Sequence, residues 1–141
     1  MCGYFSQIRV AGSAGLELAD HSDGPQILEM RHMARAVPMA RPVQSYAVQL
    51  TLGTHPDSPY ATPLIKRYVR YGASPRAAQA LVLGAKIHAL ARGEAFASTA
   101  DVRAVALPAL RHRVLLGFEG EVERIDPDTL ITELLAARPG A

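Results

Sequence analysis

A chain of 141 residues, 49% hydrophobic and 20% charged, is long enough to bury one sizeable core without covalent staples. Its formal net charge of +2 is too small for a domain that neutralises many phosphates, which argues against nucleic acid as a partner. The single cysteine, Cys2, excludes an internal disulfide framework and fits a reducing, cytoplasmic setting. No apolar run approaches the roughly 18 residues of a membrane span, and no charged segment followed by an apolar one marks a secretory signal. Few aromatic residues beside abundant Ala and Leu point to helices.

Residues 1–24 carry little pattern and read as an irregular segment. Tyr4, Phe5, Ile8 and Val10 are consistent with one short strand there, and AGSAG and HSDG with loops. From Ile27 the character changes. Ile27, Met30, Ala34 and Val37 fall at helical spacing, and Pro38 ends the run. A second helix opens at Pro42, carries Val43, Tyr46, Ala47 and Leu50 on one face, and closes at Gly53. Pro56 and Pro59 make Thr54 to Thr62 a loop, and Pro63 starts a short helical turn through Tyr68.

The longest helix runs from Pro75 to about Arg92, with Ser74 as N-cap and Gly93 as its stop. Its polar residues Arg76, Gln79 and Lys86 form one narrow stripe, so the helix should be buried on more than one side. Ser98 and Asp101 make a capping-box pair before Val102, Val105 and Ala106. Pro108 either kinks that helix or opens a further turn through Arg113. Val114 to Phe118 is a short apolar segment, and GEVER after it should be exposed. Asp126 and Pro127 repeat the cap-then-proline start, with Leu130, Ile131, Leu134 and Leu135 facing inward. Five or six helices with short connections predict an all-α bundle over residues 25–141, with at most one minor strand pair.

Arg76 is the leading candidate for chemistry. It lies in the first turn of a long helix, where the dipole is positive and a cation is unfavourable unless an anion meets it. Exposed helix N–H groups beside a planar five-donor guanidinium make a good phosphate or carboxylate receiver. The plainer alternative is a surface arginine paired with an acid such as Asp57. Other chemistries lack their signatures. Cys2, exposed by loss of Met1, would be an N-terminal nucleophile only on a β-rich scaffold that this helical chain does not offer. The five histidines, His21, His32, His55, His88 and His112, show no metal-ligand spacing; His112 is the one expected to be partly buried. No G-x-S-x-G and no G-x-x-x-x-G-K-[ST] occur, so the 141 residues hold no machinery for phosphoryl transfer. Lys66, Arg67, Arg70 and Arg76 cluster in mid-chain and Glu119, Glu121, Glu123, Asp126 and Asp128 late; two solvated faces are the simplest reading.

The segments VQSYAVQLTLGTHPDSP, LIKRYVRYGASPRAAQALVLGAKIHALARG and STADVRAVALPALRHRVLL, followed by the acidic linker and final helix, resemble the C-terminal lid domain of MoxR-type AAA+ ATPases. The likeness covers about Val43 to Leu135 and is most specific at YGASPRAAQAL. It implies that Arg76 is the sensor 2 arginine, which reaches from the lid to the terminal phosphates of ATP held with magnesium on an α/β core. Ser74 belongs to the same turn, and the apolar surface around it would cover the adenine side. The apolar remainder of the long helix would face the core or a neighbouring ring subunit. Met1 to Gly24 stands in place of the family's core, with its phosphate loop, magnesium-holding acids and arginine finger; the resemblance leaves Tyr4 to Val10 open as a remnant of the last core strand. The resemblance therefore implies a lid without its engine: a partial, chaperone-like ATPase that needs an AAA+ core and acts on an unknown client protein. A stand-alone helical interaction module without nucleotide binding is the competing expectation, and a basic nucleic-acid binder is disfavoured by the small net charge.

Overall fold

A computed structural model of the chain describes residues 24–138; the strand expected at 4–10 and Cys2 lie outside the described residues. The described chain is all-α, with helices α1 (Gly24–Ala36), α2 (Arg41–Gly53), α3 (Pro63–Tyr68), α4 (Pro75–Ala91), α5 (Thr99–Leu110), α6 (Phe118–Val122) and α7 (Pro127–Ala137). One small strand pair, β1 (Val69–Tyr71) and β2 (Leu115–Leu116), runs antiparallel with Val69 opposite Leu116.

Most boundaries follow from local chemistry. Pro38 follows the end of α1, Thr62 caps α3 by accepting from the Ile65 N–H, and Asp126 caps α7 through the Asp128 N–H. Gly93 takes φ +76° just past α4, a conformation glycine reaches without strain. The Ser98–Asp101 capping box forms as expected. Pro108 lies inside α5, which continues to Leu110.

Helix α4 packs against α5, α2 and α1, and presents Ala77, Leu81, Ala85 and Ala89 as its buried face. Small residues at that spacing let neighbouring backbones approach closely. Leu50, Ile65, Val102, Leu110, Leu130, Ile131 and Leu134 complete the core from the other helices. Gly53 marks a close approach between α2 and α7: a Cβ there would lie 2.7 Å from Leu134 Cδ1 and 3.3 Å from the Tyr60 carbonyl. The last helix is fastened at its C-terminal end. The Tyr46 hydroxyl donates to the Arg138 carbonyl (2.7 Å), and Arg103 Nη1 reaches the Leu135 and Arg138 carbonyls (both 2.9 Å) and the Tyr46 hydroxyl (3.0 Å).

Two expectations are corrected and a third is refined. Within GEVER, Glu121 to Arg124 are exposed as expected, but residues up to Val122 belong to α6, whose Gly120 is buried against the Tyr68 carbonyl. The mid-chain basic and late acidic residues are not two separate solvated faces, because Arg67 bridges Glu119 (3.1 Å) and Glu123 (2.7 Å). Glu123 also accepts from the Tyr68 hydroxyl at 2.7 Å, which holds that phenol above its ordinary range. Finally, His112 is exposed in the turn after α5, whereas His55 and His88 are the partly buried histidines among the described residues.

Candidate functional site

Arg76 stands in the first turn of α4, exposed, with no acidic residue in that turn. Among the described residues its side chain has no ion pair or hydrogen bond, and Asp57 is not its partner. Ser74 occupies the N-cap position with extended backbone (φ −64°, ψ 165°), but its hydroxyl makes no capping bond. The Ala77 N–H, which such a hydroxyl would ordinarily receive, bonds the Ser74 carbonyl instead at 2.8 Å. The first turn of α4 thus carries an unpaired cation and an uncommitted hydroxyl on the same rim.

The backbone beneath them is tightly held. Buried Ala73 donates its N–H to Thr54 Oγ1 (2.8 Å), and its carbonyl lies 2.9 Å from His55 Nε2. A carbonyl only accepts, so Nε2 is the protonated nitrogen of that ring. Sequence reading placed Thr54 and His55 in a proline-rich loop and missed this grip. A threonine and a histidine directly after a helix-closing glycine were the available signal.

The polar stripe expected along α4 divides in two. Arg76 and Gln79 are exposed, while Lys86 is half-buried and caps the C-terminal end of α1 by donating to the Arg35 carbonyl at 2.9 Å. Leu83 and Ile87 are 41% and 42% exposed, and at about 100° per residue both lie within about 20° of Arg76 around the helix. A ligand-seeking arginine therefore sits at the head of an apolar ridge on one face.

At the far end of α4 the polar chemistry is closed. Asp101 is fully buried and accepts from the Ser98 N–H (2.8 Å), the Ser98 hydroxyl (2.6 Å) and His88 Nδ1 (2.8 Å), with Arg92 at 3.6 Å. Burial by itself would raise the carboxyl; the bonds from Ser98 and His88, with the Arg92 charge, outweigh it and hold Asp101 below its ordinary range. This cluster is satisfied internally and joins α4 to α5. No group of three or more metal-ligating side chains occurs among the described residues, and no described helix is long and apolar enough to cross a membrane.

The chain as a whole resembles known proteins. A family model described as an AAA lid domain matches residues 62–134, from the cap of α3 into α7. The chain is 31% identical over 90 residues to Chaperone MoxR1 of Mycobacterium tuberculosis, covering 64% of this chain and 24% of that protein. It superposes on the crystal structure of a candidate ATPase from Cytophaga hutchinsonii with a TM-score of 0.77 and 28% identity, over 83% of this chain and 36% of the other. The chain thus spans about a quarter to a third of the length of these relatives. With more than half of its residues inside the family match, and the helical architecture shared, the chain belongs to the AAA lid domain family, of the MoxR-like kind.

Proposed function

We propose that this chain is the lid of a MoxR-like AAA+ ATPase and that Arg76 is its nucleotide sensor, donating to the terminal phosphates of magnesium-bound ATP on an α/β core outside these 141 residues. The carrying observation is that Arg76 is exposed and unpaired at the positive end of a 17-residue helix, on a turn held from beneath. A cation left there without a partner costs a few tenths of a kcal/mol up to about 1 kcal/mol, a cost that an anion reverses. Leu83 and Ile87, on the same face, supply the apolar ground on which that core or an adjacent ring subunit rests. Ser74 contributes a hydroxyl at the rim of the same turn.

ATP supplies the transferable phosphate, and the chain's own residues orient and report. Arg76 bonded to the terminal phosphate draws α4, and with it α2 and α5, towards the core. Loss of that phosphate on hydrolysis removes the bond and frees the lid to move. A client protein, assembly with AAA+ subunits and a cytoplasmic setting are part of the same proposal, with family membership as their support.

The test joins this chain to the α/β core of a MoxR-like ATPase and compares wild type with Arg76→Ala. The expected result is slowed hydrolysis or weakened ATP affinity with unchanged helical content. Untouched hydrolysis and affinity would end the sensor reading. A second reading, a protein-docking module that acts without nucleotide, draws on the exposed Tyr71, Leu115, Phe118 and Val122, of which Phe118 is 85% exposed. It predicts partner binding that is indifferent to Arg76→Ala and to ATP.

A further inference from the structure

If Arg76 reads the nucleotide, whatever fixes its backbone sets its reach. The connection from β1 to α4 is three residues long, Gly72 to Ser74, and a segment of this kind is ordinarily a mobile part of a fold. Here it is gripped twice at one residue. Both backbone polar groups of Ala73 are taken by side chains from the end of α2, the N–H by Thr54 and the carbonyl by His55. Thr54 is itself fixed, since it is buried and its hydroxyl donates to the Thr51 carbonyl at 2.6 Å within the last turn of α2. Gly72 closes the contact. A Cβ on it would lie 2.6 Å from the His55 ring and 2.8 Å from the His55 amide nitrogen, so the strand end lies flat against that residue with no space to slide.

We propose that Thr54 and His55 are positioning residues for Arg76, tying the sensor turn to α2 so that Arg76 and α2 move as one body; this role rests on the sensor reading above. The physical content is a lever. A displacement imposed on Arg76 by a phosphate passes through Ala73 into α2 rather than being absorbed by the turn, and a displacement of α2 re-aims Arg76.

Two measurements test it. On this chain, amide hydrogen exchange at Ala73 should rise roughly tenfold in Thr54→Val, which removes the acceptor at nearly constant shape, while amides in α5 and α7 keep their rates. Thr54→Ser, which retains the hydroxyl, should restore protection and guards against a variant that merely folds poorly. Unchanged Ala73 exchange in Thr54→Val overturns the role. In the chain joined to a MoxR-like core, Thr54→Val and His55→Ala should weaken magnesium–ATP binding severalfold when Arg76 is present and have no further effect in the Arg76→Ala background. Equal losses in both backgrounds mean a general structural role and overturn the inference. An effect of Arg76→Ala with none from Thr54→Val or His55→Ala overturns this role alone. No effect of Arg76→Ala overturns the sensor reading and this role together, so the two failures are distinguishable.

Discussion

Asp101 offers the sharpest quantitative test of how the helix bearing Arg76 is held. Its carboxylate is fully buried and accepts three short hydrogen bonds, two from Ser98 and one from His88, at the junction of α4 and α5. Asp101→Ala removes the capping box, worth about 1 kcal/mol, and leaves the half-buried Ser98 donors and His88 without their charged acceptor, adding about 2 kcal/mol. The expected loss is therefore about 3 kcal/mol, against a total stability of roughly 5–15 kcal/mol for an ordinary domain. For a chain of this size that corresponds to a fall in melting temperature of roughly 10 °C. Asp101→Asn should cost only about 1 kcal/mol, because His88 can switch tautomer and accept from the new amide.

The pH dependence carries a sign. The Asp101 carboxyl is depressed in the folded state, so its contribution is fully present above its ordinary value of 3.8 and is lost as pH falls through the lower folded value. The stability gap between wild type and Asp101→Asn should thus stay constant near neutrality and shrink in acid. Urea denaturation monitored by circular dichroism, repeated from neutral pH down to about 3, measures both quantities. An Asp101→Ala loss below about 1 kcal/mol, or a gap that widens in acid, would refute the reasoning.

Other outcomes follow from the same geometry. Arg76→Glu should stabilise the isolated chain by about 0.3–1 kcal/mol in urea, because it places an anion at the positive end of α4; a loss of stability would reveal a structural partner for Arg76. Gly53→Ala should cost about 1–3 kcal/mol in thermal melting, since its Cβ meets Leu134 at 2.7 Å, and an unchanged melt would show that α7 gives way. The exposed Tyr71, Leu115, Phe118 and Val122 should make the chain self-associate, with Phe118→Ser reducing it; sedimentation of the wild type as a monomer at every concentration argues against this.

The parts of the fold that were legible in the sequence are those with local causes. Proline and glycine punctuation marked α2 and α4, the S-x-x-D pair marked α5, and Asp126–Pro127 marked α7. Helix α6 was not legible because five polar-rich residues carry no period; Arg67, far away in sequence, anchors Glu119 and Glu123 on and beside it. The strand pair was expected without a place, since strands of three and two residues leave no alternation to read. At the candidate site, Arg76 was visible because a cation conflicts with the local helix dipole. Thr54 and His55 were hidden because their partner, Ala73, lies 19 and 18 residues away. His112 misled because a histidine between two arginines after an apolar run does not reveal which way the turn points.

The fastening of α7 bears on how the chain is made. Tyr46 bonds a carbonyl 92 residues further along, and Arg103 closes on that same carbonyl. Synthesis is vectorial, so residues of α2 and α5 leave the ribosome well before the strand of sequence that covers them. Until Arg138 emerges, Leu50, Val102 and Leu110 lack Leu130, Ile131 and Leu134, and an interval with uncovered apolar surface is built into every round of translation. Closure of the bundle becomes a late event set by the rate of elongation, and slow codons ahead of Pro127 would lengthen the time in which the nascent chain depends on chaperones.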